Sequence, residues 1–187
     1  SSGVCKEALL VLTGKIAEGD QIVPAPELPS GPIAFSGDLI LSLVGMMSSL
    51  SLTADGIALV TAVSPFKAVF SVFTDARYVY PQSRVVMSDL PNLLGSNLEE
   101  LIRHYPTYAN VIIDELIASM NAVSDMAEPF VGTENYQTGE NGFTAEFEEV
   151  LHHAVALLLC LEALVLHKPT VVLFHSSGGF TAMRRFL

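Results

Sequence analysis

Apolar residues recur at helical spacing in one segment after another, and Pro or Gly interrupts them at short intervals. Strands would need apolar and polar residues to alternate, and no stretch alternates over a convincing length. This pattern predicts an all-α chain of many helices of unequal length. Val4 to Glu18 has the spacing of a first helix, stopped by Gly19, and Gln21 to Pro32 reads as a loop because it carries four prolines. Asp38 is placed to cap a helix reaching Leu50, apolar round most of its circumference. Thr53 opens a short helix to Val63, and Ser64-Pro65 opens another through Phe66, Val69, Phe70 and Phe73.

Arg77 to Pro91 reads as irregular, with Val79-Tyr80 and Val85-Val86-Met87 as strand-like runs that lack partners. Ser96 or Asn97 is expected to cap a helix over Leu98–His104, with Glu99 and Glu100 near its positive end. Tyr105-Pro106 breaks that helix, and Thr107 begins a long one to about Met126. Glu128 to Asn141 is polar and Gly-containing, the composition of a mobile loop. Thr144 caps the longest helix, which runs to about His167. A short one from Pro169 ends at Gly178-Gly179, and a last one starts at Phe180.

The sum is eight or nine helices joined by short breaks, the rhythm of an armadillo/HEAT-like α-solenoid, with a compact helical bundle as the structural rival. Residues 1–187 are expected to form one armadillo-like helical segment of a larger chain, with flexible loops near 19–37, 76–93 and 127–143. Composition supports a segment covered by neighbours. Only 16% of residues are charged, against about 25% in ordinary soluble domains. The best apolar run, Ala154 to Leu166, is too short for a membrane span and holds Glu162.

The formal charge of −11 disfavours nucleic-acid binding. The two cysteines, Cys5 and Cys160, sit in apolar helical runs, which implies packing and a reducing compartment, cytoplasmic or nuclear.

Candidate chemistry is sparse. Phe174-His-Ser-Ser-Gly-Gly resembles a hydrolase nucleophile elbow with Ser176 as nucleophile. However, the position two before Ser176 should be small and is Phe174, and no Asp or His follows. A helix ending in a Gly-Gly cap explains the same residues. His104, His152, His153, His167 and His175 lack the spacing and company of a zinc site. His104 is placed to bond a helix C-terminal carbonyl. Glu99-Glu100 and Glu148-Glu149 read as capping charge rather than as acid and base. No phosphate-binding glycine loop is present. The expectation is no catalytic residue, no cofactor and no metal.

Leu94-Gly-Ser-Asn-Leu-Glu-Glu-Leu-Ile-Arg-His-Tyr-Pro-Thr, followed by Val111-Ile-Ile-Asp-Glu-Leu-Ile, resembles a stretch in the N-terminal armadillo-like region of giant HECT-type E3 ubiquitin ligases of the Huwe/Tom class. The motif residues are Gly95, Ser96, Glu100, Leu101, Arg103, His104 and Pro106. The likeness extends over about residues 38–187 and is sharpest at 94–117. Relatives carry a long acidic insertion where this chain has only Ala127 to Phe143.

The resemblance implies a non-catalytic scaffold and substrate-recruitment segment. Its partners would be protein substrates and the rest of its own polypeptide, not nucleic acid or membrane. E2 and ubiquitin would be engaged only through a distant HECT domain, whose thioester-forming Cys has no counterpart in Cys5 or Cys160. An armadillo/HEAT-like interaction module of an unrelated trafficking or nuclear-transport assembly is the alternative.

Overall fold

The computed structural model describes residues 2–12, 15–18, 21–24, 37–75, 89–132, 137–138 and 142–186. Among them the fold is all-α and solenoid-like, with nine α-helices and two short antiparallel strand pairs. The helices are α1 (Ser2–Leu12), α2 (Gly37–Leu50), α3 (Ala54–Val63), α4 (Phe66–Phe70), α5 (Leu90–His104), α6 (Ala109–Ala127), α7 (Ala145–Leu164), α8 (Lys168–Ser176) and α9 (Gly179–Phe186). Turns of 3-10 helix extend α4 over Ser71–Thr74, lead into α6 over Pro106–Tyr108 and continue it over Glu128–Phe130.

Several boundaries obey local chemistry. Thr53 caps α3 by accepting the Gly56 N–H at 3.1 Å, and Thr144 caps α7 by accepting that of Phe147 at 3.3 Å; each satisfies an amide that the first turn leaves unpaired. Gly178, with φ +87°, takes the left-handed conformation just past α8, which a side chain would disfavour. Ser64 also adopts positive φ, where α3 gives way to α4. Those two helices together have the length and apolar content of a membrane span but bend by 57° between them. No single helix among the described residues is long and apolar enough to cross a membrane.

Three expectations are corrected. α5 begins at Leu90, not near Leu98, so Glu99 and Glu100 lie well inside it and cap nothing. Gly95-Ser96-Asn97 has the local signature of a helix start. Burial of Leu90, Pro91 and Leu94 one turn earlier overrides it. The first helix stops at Leu12, and Lys15–Glu18 pairs antiparallel with Gln21–Pro24, where the spacing predicts a helix end and a loop. Ile22 packs against the core, and the Lys15 ammonium donates to the Val63 carbonyl at the C-terminus of α3, where a cation is favoured. Asp38 lies inside the first turn of α2 rather than at its cap. The strand-like runs at 79–80 and 85–87 and most of the three expected loops lie outside the described residues, although Glu128–Phe130, Gln137–Thr138 and Gly142–Phe143 are ordered as turn and strand.

Packing centres on α5. Leu94, Leu98 and Leu101 are fully buried, each removing apolar surface worth about 2 kcal/mol from water. One side of α5 meets α7 and another meets α2, while α6 packs on α4, α7, α8 and α9. The α5–α7 crossing is close enough that a Cβ at Gly95 would stand 2.4 Å from the Cys160 carbonyl oxygen and 2.8 Å from the Ala163 Cβ. The corner after α5 is tied to the end of α2. The Tyr108 hydroxyl, buried, shares a 2.7 Å hydrogen bond with Ser51 Oγ, and Tyr105 donates to the Ser48 carbonyl at 3.3 Å. Phe66 packs on the Tyr108 ring, centroids 5.5 Å apart. The phenylalanines of α4 and its extension are core residues.

Two helical glycines separate packing from propensity. Gly45 on α2 has open space where a Cβ would stand, so Gly45→Ala should stabilise the fold by about 0.5–1 kcal/mol through helix propensity. Gly95→Ala should destabilise it by about 1–3 kcal/mol, because α5 and α7 must separate. Urea titration of both variants decides this; equal effects would contradict the crossing.

Candidate functional site

The α5 motif does two jobs. Its inward residues build the fold: Gly95 meets α7 and Leu101 is core. Ser96, Glu100, Arg103, His104 and Pro106 are exposed. Glu100 Oε1 lies 3.7 Å from His104 Nε2 and 4.0 Å from the Arg103 guanidinium, solvent-exposed contacts of little energetic weight. His104 thus points toward Glu100 one turn earlier, and Tyr105 N–H satisfies the Leu101 carbonyl at 2.8 Å.

Two clefts flank α5. One, of about 310 Å³, lies against α2 and includes Glu100 and Leu101 in its walls. The other, of about 400 Å³, lies between the C-terminal half of α5, the Pro106 turn, the start of α6 and the start of α8. Its floor is apolar: Ile102, Pro106, Ala109, Pro169 and Leu173. Polar groups stand at its edge. His167 Nε2 meets Glu99 Oε1 at 2.9 Å, the histidine 56% exposed and the carboxylate side chain only 12%. Arg103 completes the edge.

Sequence motifs mark Arg103 and Pro106. They do not mark Glu99 as a lining residue, nor Ile102, Ala109, His167, Pro169, Thr170 or Leu173. The Pro169-Thr170 helix start is the one available signal.

The remaining candidates for chemistry are accounted for by the fold. Ser176 lies on α8, and its hydroxyl donates to the Leu173 carbonyl at 3.0 Å, a local helix contact. His175 packs against Phe180, ring centroids 5.5 Å apart. Among the described residues no group of three or more His, Cys, Asp or Glu could hold a metal ion. Cys160 is fully buried, and burial pushes its thiol up to about 12. His153 on α7 is fully buried, and neither ring nitrogen has a hydrogen-bond partner among the described residues; Glu149 Oε1 is 3.6 Å from Nε2, too far for one.

An all-α, solenoid-like segment with a mixed apolar and charged cleft beside its central helix is the class of protein that this geometry defines. The chain belongs to the family described as Domain of Unknown Function (DUF913), whose model matches residues 1–141. It is also similar to the E3 ubiquitin-protein ligase ptr1 of Schizosaccharomyces pombe, 26% identical over 95 residues, which are 51% of this chain and 3% of that protein. The chain therefore spans a small fraction of that relative's length. No solved structure matches it.

Two measurements probe the buried groups. In a Cys5→Ser background, iodoacetamide at pH 8 should leave folded Cys160 unmodified, since only about one thiol in ten thousand is ionised, and should alkylate it rapidly in urea. The sign comes from the same shift: between the ordinary value of 9.0 and about 12, the unfolded chain loses a proton that the folded chain keeps. Cys160 therefore subtracts stability as pH rises through that window. Separately, His153→Leu should raise the unfolding free energy by about 1–2 kcal/mol, seen as a higher urea midpoint, because it removes two buried polar atoms without hydrogen bonds. A lowered midpoint would mean that the imidazole is satisfied in solution.

Proposed function

We propose that this chain is a non-catalytic scaffold and substrate-recruitment segment of a HECT-type ubiquitin ligase of the Huwe/Tom class. The observation that carries the reading is the similarity to an E3 ubiquitin-protein ligase over 51% of the chain, with the resemblance of the Leu94–Pro106 motif beside it. The geometry is compatible in a specific way. Gly95, which points inward, sits at the α5–α7 crossing, and Glu100, Arg103 and Pro106, which are exposed, line clefts open to a partner.

In this reading the segment holds protein substrates near a catalytic centre elsewhere in the same polypeptide. Ubiquitin passes from E2 to a HECT cysteine and then to a substrate lysine, and neither Cys5 nor Cys160 takes part. The setting is the cytoplasm, the nucleus or both.

The full reading frame is the first test, and a HECT domain in the same polypeptide is the expected result; a frame without one overturns the proposal. In such a ligase, deleting residues 37–187 should leave the ubiquitin thioester on the HECT cysteine intact. It should also cut substrate ubiquitination at least about tenfold, as expected when productive positioning is lost. Undiminished substrate modification would remove the recruitment role.

A further inference from the structure

We propose that the cleft between α5, the Pro106 turn and α8 binds a protein segment in which an aliphatic side chain stands next to an Asp or Glu, the carboxylate seating on the first turn of α8. This names the partner chemistry of the recruitment reading and rests on it.

Four observations converge. The floor built by Ile102, Ala109 and Leu173 is apolar and large enough for a branched aliphatic side chain. The first turn of α8 opens on that floor, and its N-cap residue, His167, provides no side-chain cap. The His167 ring is turned instead to Glu99. Pro169 has no N–H and Val171 N–H bonds the His167 carbonyl at 3.0 Å. The amides of Lys168 and Thr170 are therefore the unfilled donors at the positive end of the helix.

Thr170 supplies the third observation. It is 4% exposed, lines the cleft, and its hydroxyl has no hydrogen-bond partner among the described residues. The oxygen itself is not sealed in but reaches the solvent of the cleft, where an acceptor or donor can meet it. Fourth, two basic side chains stand exposed at this edge. Arg103 and His167 are exposed, whereas the nearby carboxylate, Glu99, is nearly buried and engaged by His167. Glu100, which approaches Arg103, lines the other cleft.

A carboxylate placed here would accept from the Lys168 and Thr170 amides or the Thr170 hydroxyl and face the Arg103 guanidinium. Its aliphatic neighbour would fill the floor. The net charge of −11 opposes a generally acidic partner at long range, so the site selects one carboxylate beside an apolar anchor rather than an acidic tract.

The test is selection of a displayed random peptide library on the 187-residue chain, then fluorescence polarisation with synthetic peptides acetylated and amidated at their ends. The expected result is enrichment of an aliphatic residue adjacent to Asp or Glu. Replacing the peptide's Asp by Asn should weaken binding about tenfold, as should Arg103→Gln. Thr170→Val, which keeps the side-chain shape, should weaken it about fivefold, and Ala109→Trp should abolish it by filling the floor.

No enrichment, enrichment without an acidic residue, or acidic selection that survives Ala109→Trp in a chain with unchanged circular dichroism would each overturn the site. If Ala109→Trp fails to fold, Thr170→Val and Arg103→Gln decide alone. Failure here leaves the ligase reading standing, because that reading is judged by the reading frame and the deletion.

Discussion

The backbone contact of α5 with α7 at Gly95 is the constraint on which the rest of the architecture depends. A glycine inside a helix costs about 1 kcal/mol of propensity relative to alanine. Here the missing Cβ lets the Cys160 carbonyl and the Ala163 methyl come into the space that it would occupy. Close approach converts that local cost into dispersion contacts along the whole crossing, with Leu94, Leu98 and Leu101 of α5 and Leu157, Cys160 and Leu164 of α7 fully buried. The crossing also fixes where α8 lies. That helix begins just beyond the end of α7, and its N-cap His167 reaches Glu99 only because α7 lies so near to α5. The cleft is thus a consequence of a glycine one turn away from its edge.

The corner between α5 and α6 works with this crossing. Tyr105 and Tyr108 flank Pro106, and both hydroxyls bond to the C-terminal end of α2. The Tyr108 hydroxyl is held neutral more firmly than usual, since burial raises it above 10.0 while its bond to Ser51 only partly offsets that. The Arg-His-Tyr-Pro stretch that stands out in the sequence is therefore a corner tied to α2 through half-buried Tyr105 and a cleft wall through Arg103 and Pro106. Its distinctiveness reflects both duties at once.

The part of the fold legible in the sequence is the part governed by local chemistry. Threonines 53 and 144 cap because their hydroxyls reach amides three residues on, and Gly178 ends α8 because only a few residue types tolerate its φ. The start of α5 was not legible. Gly95-Ser96-Asn97 carries every local sign of a break, and only the tertiary approach of α7 explains a glycine there. The hairpin at 15–24 was hidden because its strands are four residues long and end in a proline, too short for alternation to register. The cleft was hidden for a different reason: it joins α5 to α8, and no spacing rule connects Glu99 with His167 or Arg103 with Thr170.

The low charged fraction also finds a physical place. Leu151 and Val155 lie one turn apart on the outer side of α7, and Leu166, Val172 and Phe180 are exposed around α8 and α9. In a solenoid each unit buries its apolar surface against neighbours along one axis, so a unit's outer faces keep apolar residues that a closed bundle would cover. Such a face attracts by area alone and offers few directional groups, so it discriminates poorly between partners. The cleft differs in kind. It combines an apolar floor with a basic side chain, an uncapped helix start and a hydroxyl without a partner among the described residues. Each of those polar groups is penalised by a partner that cannot satisfy it. In the proposed reading, specific recognition therefore falls to the cleft, and the exposed apolar faces add area without discriminating between partners.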